Sequence, residues 1–491
     1  MMQDPGWVDK FMSNIFEQDY DSAREVLRRA IACGASPGMA QQYAKVLEDF
    51  LERRDGSGRP AEGLARLGGL VVRDMGHDRG RGLEVDSLRA WGDILYNERP
   101  LALLQSPANR RCVQACCACL APVGSLASQL QHMGLEAPSG AEALLVQSET
   151  EGRPRSGAVP CPGDGCGEVF CSAACRDWAL AGSPHALLCP GRLPRACATA
   201  LRRLDALAVD SETEHLLLLA HSVAQMLLLV GQGQPLEEVL RRHAGQFASR
   251  PWPDLADPAA DPGDTPQSRG GLLARAKALL EEVFSFAEAA VVGPLLDLGL
   301  LSGLLGTYEL VNMCVCLPHP LNRSGREVCE LLRPTGMLAE VYRLQLAAGL
   351  DSDSDTDSDA DDTAAVVDEA AVVDDAAAVE AAQSGTLFAC VLGSALCETL
   401  AYTNHACLPN CGIDFATCGE ASAAGPGLWV RGVAQRPLLP GDEVLMAYVP
   451  SVVGQPLEVR QRKMRKFGFT CRCRSCLVDE MTSAEECQLV A

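Results

Sequence analysis

The pattern of hydrophobic and polar positions divides the chain into segments of different kinds. Apolar residues at helical spacing predict a helical hairpin between positions 7 and 55. Strand-like stretches follow from Gly80 to Leu104 and return after Leu387, separated by glycine and proline. Between positions 199 and 350, aliphatic stretches predict helices at Leu201–Val209, His215–Val230, Leu236–His243, Leu272–Ala290 and Met337–Ala348. This alternation predicts an α+β fold built from several parts.

Two stretches show neither the helical nor the strand periodicity of hydrophobic residues. Residues 120–158 are polar and small, which predicts a long loop. The acidic tract DSDSDTDSDADD cannot bury a core, so disorder is predicted at least through Asp362. The chain has no run of 18 uncharged apolar residues, and its N-terminus lacks the regions of a signal peptide. We therefore expect a soluble intracellular protein without a membrane span.

Length and charge refine this picture. At roughly 100 to 200 residues per domain, 491 residues predict about two to four domains. The net charge is −22, but residues 351–382 carry twelve acidic and no basic residues, so the remainder is near −10. An acidic chain is a poor general binder of phosphate backbones and a good partner for basic peptides. Direct nucleic-acid binding is not expected, since basic residues are not gathered on a finger helix.

Twenty-three cysteines in a chain without a secretion signal point to metal binding, because disulfides do not persist in a reducing compartment. Closely spaced donors can each supply half of a tetrahedral zinc site. They form four pairs: Cys116 and Cys119, Cys161 and Cys166, Cys171 and Cys175, and His185 and Cys189. Cys112 and Cys117 lie beside the first pair, and either could replace a neighbour as a ligand. Eight ligands predict two closed sites.

The segment FCSAACRDWALAGSPHALLC resembles the end of the MYND zinc finger. The resemblance implies that alternate pairs share a zinc ion. One ion would be held by Cys116, Cys119, Cys171 and Cys175, and the other by Cys161, Cys166, His185 and Cys189. The second pair is C-x4-C rather than C-x2-C, and the gap from Cys119 to Cys161 is unusually long. The resemblance also implies peptide-motif partners at the finger.

A third cysteine cluster, CRCRSC, supplies Cys471, Cys473 and Cys476 near the C-terminus. Three thiolates require a fourth donor to close a tetrahedral zinc site. Cys407, in the unusual segment NHACLPN, is our candidate. The expected number of zinc ions is therefore three.

The segment NHACLPN itself resembles the signature of SET-domain lysine methyltransferases. Upstream, GRGL followed by WGDIL and NERP resembles the first strands of that family. Downstream, PGDEVLMAYVP resembles its Gly-Glu-Glu and tyrosine element, and FGFTCRCRSC resembles its post-SET zinc loop. A MYND finger inserted after the first strands is the arrangement of the SET-and-MYND lysine methyltransferases. The resemblance covers about residues 79–478.

This resemblance implies transfer of a methyl group from S-adenosylmethionine to a lysine of a histone or another protein, in the nucleus, the cytoplasm or both. Tyr448 would be catalytic, with its hydroxyl directed at the transferring methyl group. Ala406 stands where the family commonly has serine, which removes one hydroxyl hydrogen bond. The acidic tract could attract a basic protein or peptide substrate. The cofactor would lie against Arg79, Gly80, Arg81, Gly82, Asn404, His405, Tyr448 and Phe469.

A scaffold is the alternative hypothesis. In that case a MYND finger would dock peptide motifs of partner proteins beside a SET fold with little or no catalysis. Retention of GRG, NHxCxPN and Tyr448 together favours the enzyme, because a scaffold has no chemical need for them.

These observations predict a definite domain order. The expected fold is a SET domain of short twisted sheets, split by the finger and by a helical region and followed by a zinc-binding post-SET loop. The segments are an N-terminal helical extension (1–78), the first part of the SET domain (79–111), the finger (112–191), a helical insert (192–350), an acidic disordered insert (351–386), the SET core (387–450), the post-SET region (451–478) and a tail (479–491).

Overall fold

The protein is described by a computed structural model for residues 10, 20–32, 44, 65–67, 69–76, 79–146, 158–258, 261–347, 375–417, 425–465 and 467–480. Contacts divide the chain into two compact units. The first comprises Met1–Tyr96, Tyr402–Asp414 and Arg431–Ala491, and the second comprises Asn97–Ala401 and Phe415–Val430. Both units contain helices and short strands, so the predicted α+β class is confirmed.

The strands of the described residues are short. They are β1 (Ala65–Leu67), β2 (Leu70–Asp74), β3 (Arg81–Val85), β4 (Ile94–Glu98), β5 (Ala102–Gln105), β6 (Val159–Pro160), β7 (Val169–Phe170), β8 (Met313–Leu317), β9 (Val391–Leu396), β10 (Asn404–His405), β11 (Cys411–Ala416), β12 (Trp429–Ala434) and β13 (Glu443–Met446). The sheet orders are β1-β2-β3-β13-β10, β11-β12-β4, β5-β9-β8 and β6-β7. Strand β13 runs parallel to β10 and antiparallel to β3.

The helices lie mostly in the second unit. They are α1 (Tyr20–Ala32), α2 (Pro107–Arg110), α3 (Leu126–His132), α4 (Ala173–Gly182), α5 (His185–Leu188), α6 (Arg195–Asp210), α7 (His215–Gly231), α8 (Leu236–Leu240), α9 (Pro266–Val283), α10 (Ala289–Leu295), α11 (Leu298–Val311), α12 (Gly325–Leu332), α13 (Met337–Ala347), α14 (Asp375–Ser384) and α15 (Leu457–Arg465). A π-helical segment, Arg241–Gly245, follows α8 directly.

Helix α7 forms the centre of the larger hydrophobic core. Its side chains Leu216, Leu218, Leu219 and Val223 are fully buried, since this helix is apolar on nearly every face. Helices α6, α9 and α11 pack around the same core. Within the described ranges, no single helix has the length and apolar character needed to cross a membrane. By length and composition alone, the pair α10 and α11, bent by 47°, passes that test together.

Most helix predictions for positions 199–350 are confirmed, with two differences. The predicted helix Leu272–Ala290 ends at Val283, and α10 begins at Ala289. The Ser285 hydroxyl donates to the Glu282 carbonyl and so closes the end of α9. The predicted helix Leu236–His243 is interrupted, because α8 gives way to the π-helical segment.

The prediction of a continuous loop over residues 120–158 is wrong in part, because α3 lies within it. Ser125 and Ser128 form a reciprocal capping box at the start of this helix. Leu126 and Leu130 are fully buried in a cluster with Phe388. The sequence motif is local, but the hydrophobic partner of the helix is distant in sequence. Residues 147–157 lie outside the described residues.

The acidic insert predicted for residues 351–386 also requires correction, because α14 lies within it. Ala378, Ala381 and Ala382 are buried, and a Cβ on Gly325 would meet the Ala382 carbonyl oxygen at 1.9 Å. Small side chains on both sides allow this close contact, and alanine favours the helix. The acidic tract 351–362 lies outside the described residues.

The predicted helical extension over residues 1–78 ends in strands instead. Helix α1 lies within the predicted hairpin, whose remaining positions fall almost entirely outside the described residues. Strands β1 and β2 form a hairpin, with Leu67 opposite Leu70 and Gly69 in its turn at φ +93°. Strand β2 pairs with β3, so residues 65–74 extend the sheet of the first unit.

His319 provides a pH-dependent test of the second unit. Its Nδ1 accepts the Leu321 N–H at the start of a 3-10 turn, and its ring stacks on Phe388. Burial lowers the pKa of His319 to about 3, whereas an unfolded histidine titrates near 6.5. Between these values the unfolded state binds the additional proton, so stability falls as the pH falls below about 6.5.

We expect acidification from pH 7.5 to pH 5 to destabilise the wild-type protein by about 2 kcal/mol more than the His319→Asn variant. Asparagine keeps a side-chain acceptor for the Leu321 amide but does not titrate. Urea unfolding at both pH values measures the difference. Equal losses in the two proteins would show that His319 does not cause this part of the pH dependence.

Candidate functional site

The first metal-ligand group combines Cys116, Cys119, Cys171 and Cys175 in the second unit. Cys116 and Cys119 flank a tight turn in which the Leu120 N–H donates to the Cys116 carbonyl. Cys175 lies in the first turn of α4, and its amide donates to the side chain of Ser172. All four cysteines are buried, and the Sγ atoms of Cys119 and Cys171 lie 3.6 Å apart.

The second group combines Cys161, Cys166, His185 and Cys189 in the same unit. Cys161 Sγ lies 3.6 Å from Cys189 Sγ and 3.4 Å from His185 Nε2, so Nε2 is the nitrogen directed at the cluster. Burial lowers the pKa of His185, which favours the neutral imidazole that a metal requires. Glycine is required where the two cysteine segments meet, since a Cβ on Gly191 would meet the carbonyl carbon of Gly163 at 2.4 Å.

Cys117 has a different role from its neighbours. Its Sγ lies 3.8 Å from His185 Nδ1, the ring nitrogen that does not face the metal-ligand group. A partner of this kind orients a ligating imidazole and selects its tautomer. Cys112 instead donates to the Leu344 carbonyl at 3.3 Å. Neither cysteine replaces a neighbour as a ligand, which resolves the alternative left by the sequence.

The third group combines Cys407, Cys471, Cys473 and Cys476 in the first unit. Cys407 Sγ lies 3.8 Å from Cys471 Sγ and 3.6 Å from Cys476 Sγ. Burial raises the pKa of the Cys476 thiol to about 12, so its thiolate needs a nearby positive charge. Cys407 is therefore the fourth donor of this group, as the sequence predicts.

The three groups fit zinc by geometry and by chemistry. In each group the four donor atoms lie within 4.8 Å of one another. Zinc bound at about 2.3 Å from each sulfur places tetrahedral sulfurs about 3.8 Å apart. The sulfur–sulfur distances of 3.6 to 3.8 Å in the structure agree with that value. All twelve predicted ligands thus fall into groups that could hold zinc ions.

We expect three zinc ions per chain in carefully prepared protein. Native mass spectrometry measures the number directly, and comparison with acid-denatured protein gives the metal-free mass. Loss of all metal on unfolding is expected, because closed sites of this kind exist only in the folded chain. A maximum of two ions would contradict one of the three groups.

The cysteines outside the three groups differ in burial. Cys397 and Cys411 are buried, whereas Cys314 and Cys316 are exposed. Both project from the same face of β8, which alternates in burial. The sequence alone did not reveal which face of this strand is covered.

A second constellation in the first unit surrounds Gly82. Asn404 Nδ2 donates to the Arg81 carbonyl at 3.2 Å and to Glu443 Oε1 at 2.9 Å. Glu443 also forms an ion pair with Arg79. A Cβ on Gly82 would meet Asn404 Nδ2 at 2.8 Å, so any larger residue here would displace the Asn404 side chain. Strands β3, β13 and β10 lie side by side and bring these residues together.

Two residues of this constellation were absent from the predicted site. Glu443 holds both Asn404 and Arg79, and its position directly after Gly441 and Asp442 was the available signal. Asn410 is buried, accepts the Leu445 amide and donates to the Glu443 carbonyl. It ends the segment NHACLPN, so the motif fixes β13 as well as β10.

His405 connects Tyr448 with the third metal-ligand group. The Tyr448 amide donates to His405 Nδ1 at 3.2 Å, and His405 Nε2 lies 3.3 Å from Cys407 Sγ. Burial lowers the pKa of His405 to about 4, so the ring is neutral and carries its proton on Nε2. Both ring nitrogens therefore have partners within the chain.

Tyr448 lies in a cluster of aromatic side chains. Its ring centroid is 5.3 Å from His405, 5.2 Å from Phe467 and 6.2 Å from Phe469. Burial and the nearby negative charge of Glu443 raise the pKa of Tyr448 to about 12, so the phenol stays protonated. Arg81 lies over the ring of Tyr402, 5.0 Å from its centroid, which agrees with a packing role for that tyrosine.

Comparison with known proteins adds no assignment: no family model matches the chain, and no curated protein matches it.

Proposed function

We propose that this chain is a zinc-containing, S-adenosylmethionine-dependent protein-lysine methyltransferase of the SET-and-MYND kind. One observation carries the proposal. Four segments that are far apart in sequence, GRGL, NHACLPN, PGDEVLMAYVP and FGFTCRCRSC, contact one another in the first unit. Each contributes the residue that the resemblance assigns to cofactor binding, catalysis or zinc binding.

The residues around Gly82 fit the proposed cofactor. Glycine leaves the backbone of β3 open to close approach, and Asn404 and Glu443 present polar atoms beside it. Arg79, Gly80, Arg81 and Phe469 complete the set that would hold S-adenosylmethionine. When bound, S-adenosylmethionine supplies an electrophilic methyl group on a sulfonium.

Tyr448 would act as an aligning oxygen rather than as a base. Its raised pKa keeps the phenol neutral near physiological pH, so it cannot remove the proton of a lysine ammonium efficiently. Within the described part of the chain, its hydroxyl has no hydrogen-bond partner. The oxygen lone pairs are therefore available for weak CH···O contacts that hold a transferring methyl group in line. Exclusion of water by Phe467 and Phe469 would favour the neutral lysine amine.

The third zinc site would position this tyrosine through His405. A thiolate at Cys407 accepts a hydrogen bond from the Nε2–H of His405. Nδ1 then accepts a hydrogen bond from the Tyr448 amide. The metal site and the catalytic residue are thus coupled by two hydrogen bonds. This coupling assigns His405 a positioning role.

The proposal is tested by incubating zinc-loaded protein with methyl-labelled S-adenosylmethionine and either histones or whole-cell lysate. Label is expected on lysine, and Gly82→Ala is expected to abolish it, since the new Cβ enters the space beside Asn404. Gly271→Ala is the matched control, because a Cβ there meets nothing within 4 Å. A wild-type protein that binds the cofactor but labels no lysine would favour the scaffold alternative.

A further inference from the structure

A cavity of about 570 Å³ lies within the second unit. It is bounded by β5, α6, α7 and the π-helical segment, and by His185 and Cys166 of the second metal-ligand group. Cavities of this size match small-molecule sites, which range from about 300 to 1,000 Å³. It contains none of the residues assigned to methyl transfer, so it requires a separate explanation.

The walls of the cavity are about half apolar, with aliphatic side chains on two helices. One face of α7 contributes Leu217, His221, Gln225 and Leu229, which recur at four-residue spacing. Leu201 and Val209 of α6 lie on another side. An apolar body would therefore lose its contact with water here, which is favourable.

Two neutral imidazoles belong to the residues that line the cavity. His243 Nδ1 lies 3.0 Å from the Val239 carbonyl and donates to it, so Nε2 carries a lone pair. Among the described residues Nε2 has no hydrogen-bond partner, but His243 is only 1% exposed, so a ligand in the cavity does not reach this atom. His221 Nδ1 likewise lies 2.9 Å from the Leu103 carbonyl. Burial lowers the pKa of both histidines to about 4, so both rings are neutral. His221 is partly exposed, so its Nε2 is the acceptor that a ligand can reach.

His243 and Arg242 both belong to the π-helical segment. π-Helical turns are rare and occur frequently at functional sites. The segment changes the direction of successive side chains relative to an α-helix. Here it places a cation and an imidazole on the lining of one cavity.

The cavity lining has an excess of positive charge. Five arginines line it against two carboxylates, Glu168 and Asp205: Arg99, Arg110, Arg111, Arg202 and Arg242. Arg110 pairs with Glu168 and Arg242 with Glu398, but the positive excess remains after both pairs. Guanidinium groups bind carboxylates through paired hydrogen bonds. The charge therefore favours an anionic ligand.

We propose that this cavity binds a small aliphatic carboxylate that carries a hydroxyl group. The arginines bind the carboxylate, the walls of α6 and α7 enclose the aliphatic body, and the hydroxyl donates to the Nε2 lone pair of His221, whose side chain is partly exposed. No methyl transfer is involved in this binding, so it is measured independently of the proposed enzyme activity.

Isothermal titration of the full zinc-loaded chain with 10-hydroxydecanoate tests the site. We expect decanoate, which lacks the hydroxyl, to bind about tenfold more weakly, because the buried acceptor is then unsatisfied. Decane-1,10-diol, which lacks the charge, is expected to bind at least tenfold more weakly. Absence of 10-hydroxydecanoate binding at millimolar concentration would overturn the proposal.

Variants locate the ligand. Arg202→Gln is expected to weaken 10-hydroxydecanoate binding several-fold. Arg203→Gln is the matched control on the same helix, because Arg203 pairs with exposed Glu282 and does not line the cavity. His221→Phe is expected to remove the preference for the hydroxylated ligand while decanoate still binds. Equal affinity in the two arginine variants, or an unchanged preference in His221→Phe, would exclude this cavity as the site.

Discussion

Replacement of Tyr448 by phenylalanine is expected to reduce methyl transfer by about ten- to a thousandfold, without loss of folding, zinc content or cofactor affinity. The phenyl ring keeps the contacts with His405, Phe467 and Phe469. The hydroxyl makes no hydrogen bond to any described residue, so its removal leaves no unsatisfied partner. Turnover, cofactor affinity and melting temperature are measured on the same two proteins.

Tyr308→Phe is the matched control. The Tyr308 hydroxyl is buried and donates to Ser222 Oγ at 2.6 Å in the core of the second unit. Its loss should lower stability by about 1 to 2 kcal/mol and leave turnover unchanged at a temperature where the variant is folded. The two variants should thus separate a loss of turnover, in Tyr448→Phe, from a loss of stability, in Tyr308→Phe. Full turnover in Tyr448→Phe would show that the proposed mechanism is wrong.

The Cys473→Ser protein is expected to lose one of three zinc ions and to bind S-adenosylmethionine at least tenfold more weakly. Without the metal, the thiolate environment of Cys407 changes and His405 no longer has a defined tautomer. The same loss releases Phe469, which lies two residues before Cys471. Native mass spectrometry gives the zinc count, and titration calorimetry gives the affinity.

Cys314→Ser is the control for this experiment, because Cys314 is exposed on β8 and lies in no metal-ligand group. It should retain three zinc ions and the wild-type affinity. The other two zinc ions of Cys473→Ser should also remain, since their ligands come only from residues 116–189. Wild-type cofactor affinity in Cys473→Ser would contradict the coupling through His405.

Helices were predictable where hydrophobic periodicity was long, as in α6 and α7. Prediction was wrong where a long-range contact decides the local structure. Helix α3 depends on burial of Leu126 and Leu130 beside Phe388, and α14 depends on close contact with Gly325. Neither partner is visible within the segment itself. Similarly, β2 lies in a stretch predicted as helical, but pairing with β3 makes it a strand.

The sequence by itself determined which residues could bind metal, because two donors separated by a few residues can bind one ion from a single turn. Only the tertiary structure decided that Cys117 contacts His185 Nδ1 and that Glu443 holds Asn404. It also decided that Asn404 reaches the Arg81 carbonyl, 323 positions away. Such contacts depend on the order and register of strands in a sheet. That order is set by burial and hydrogen bonding over the whole unit, which no local spacing encodes.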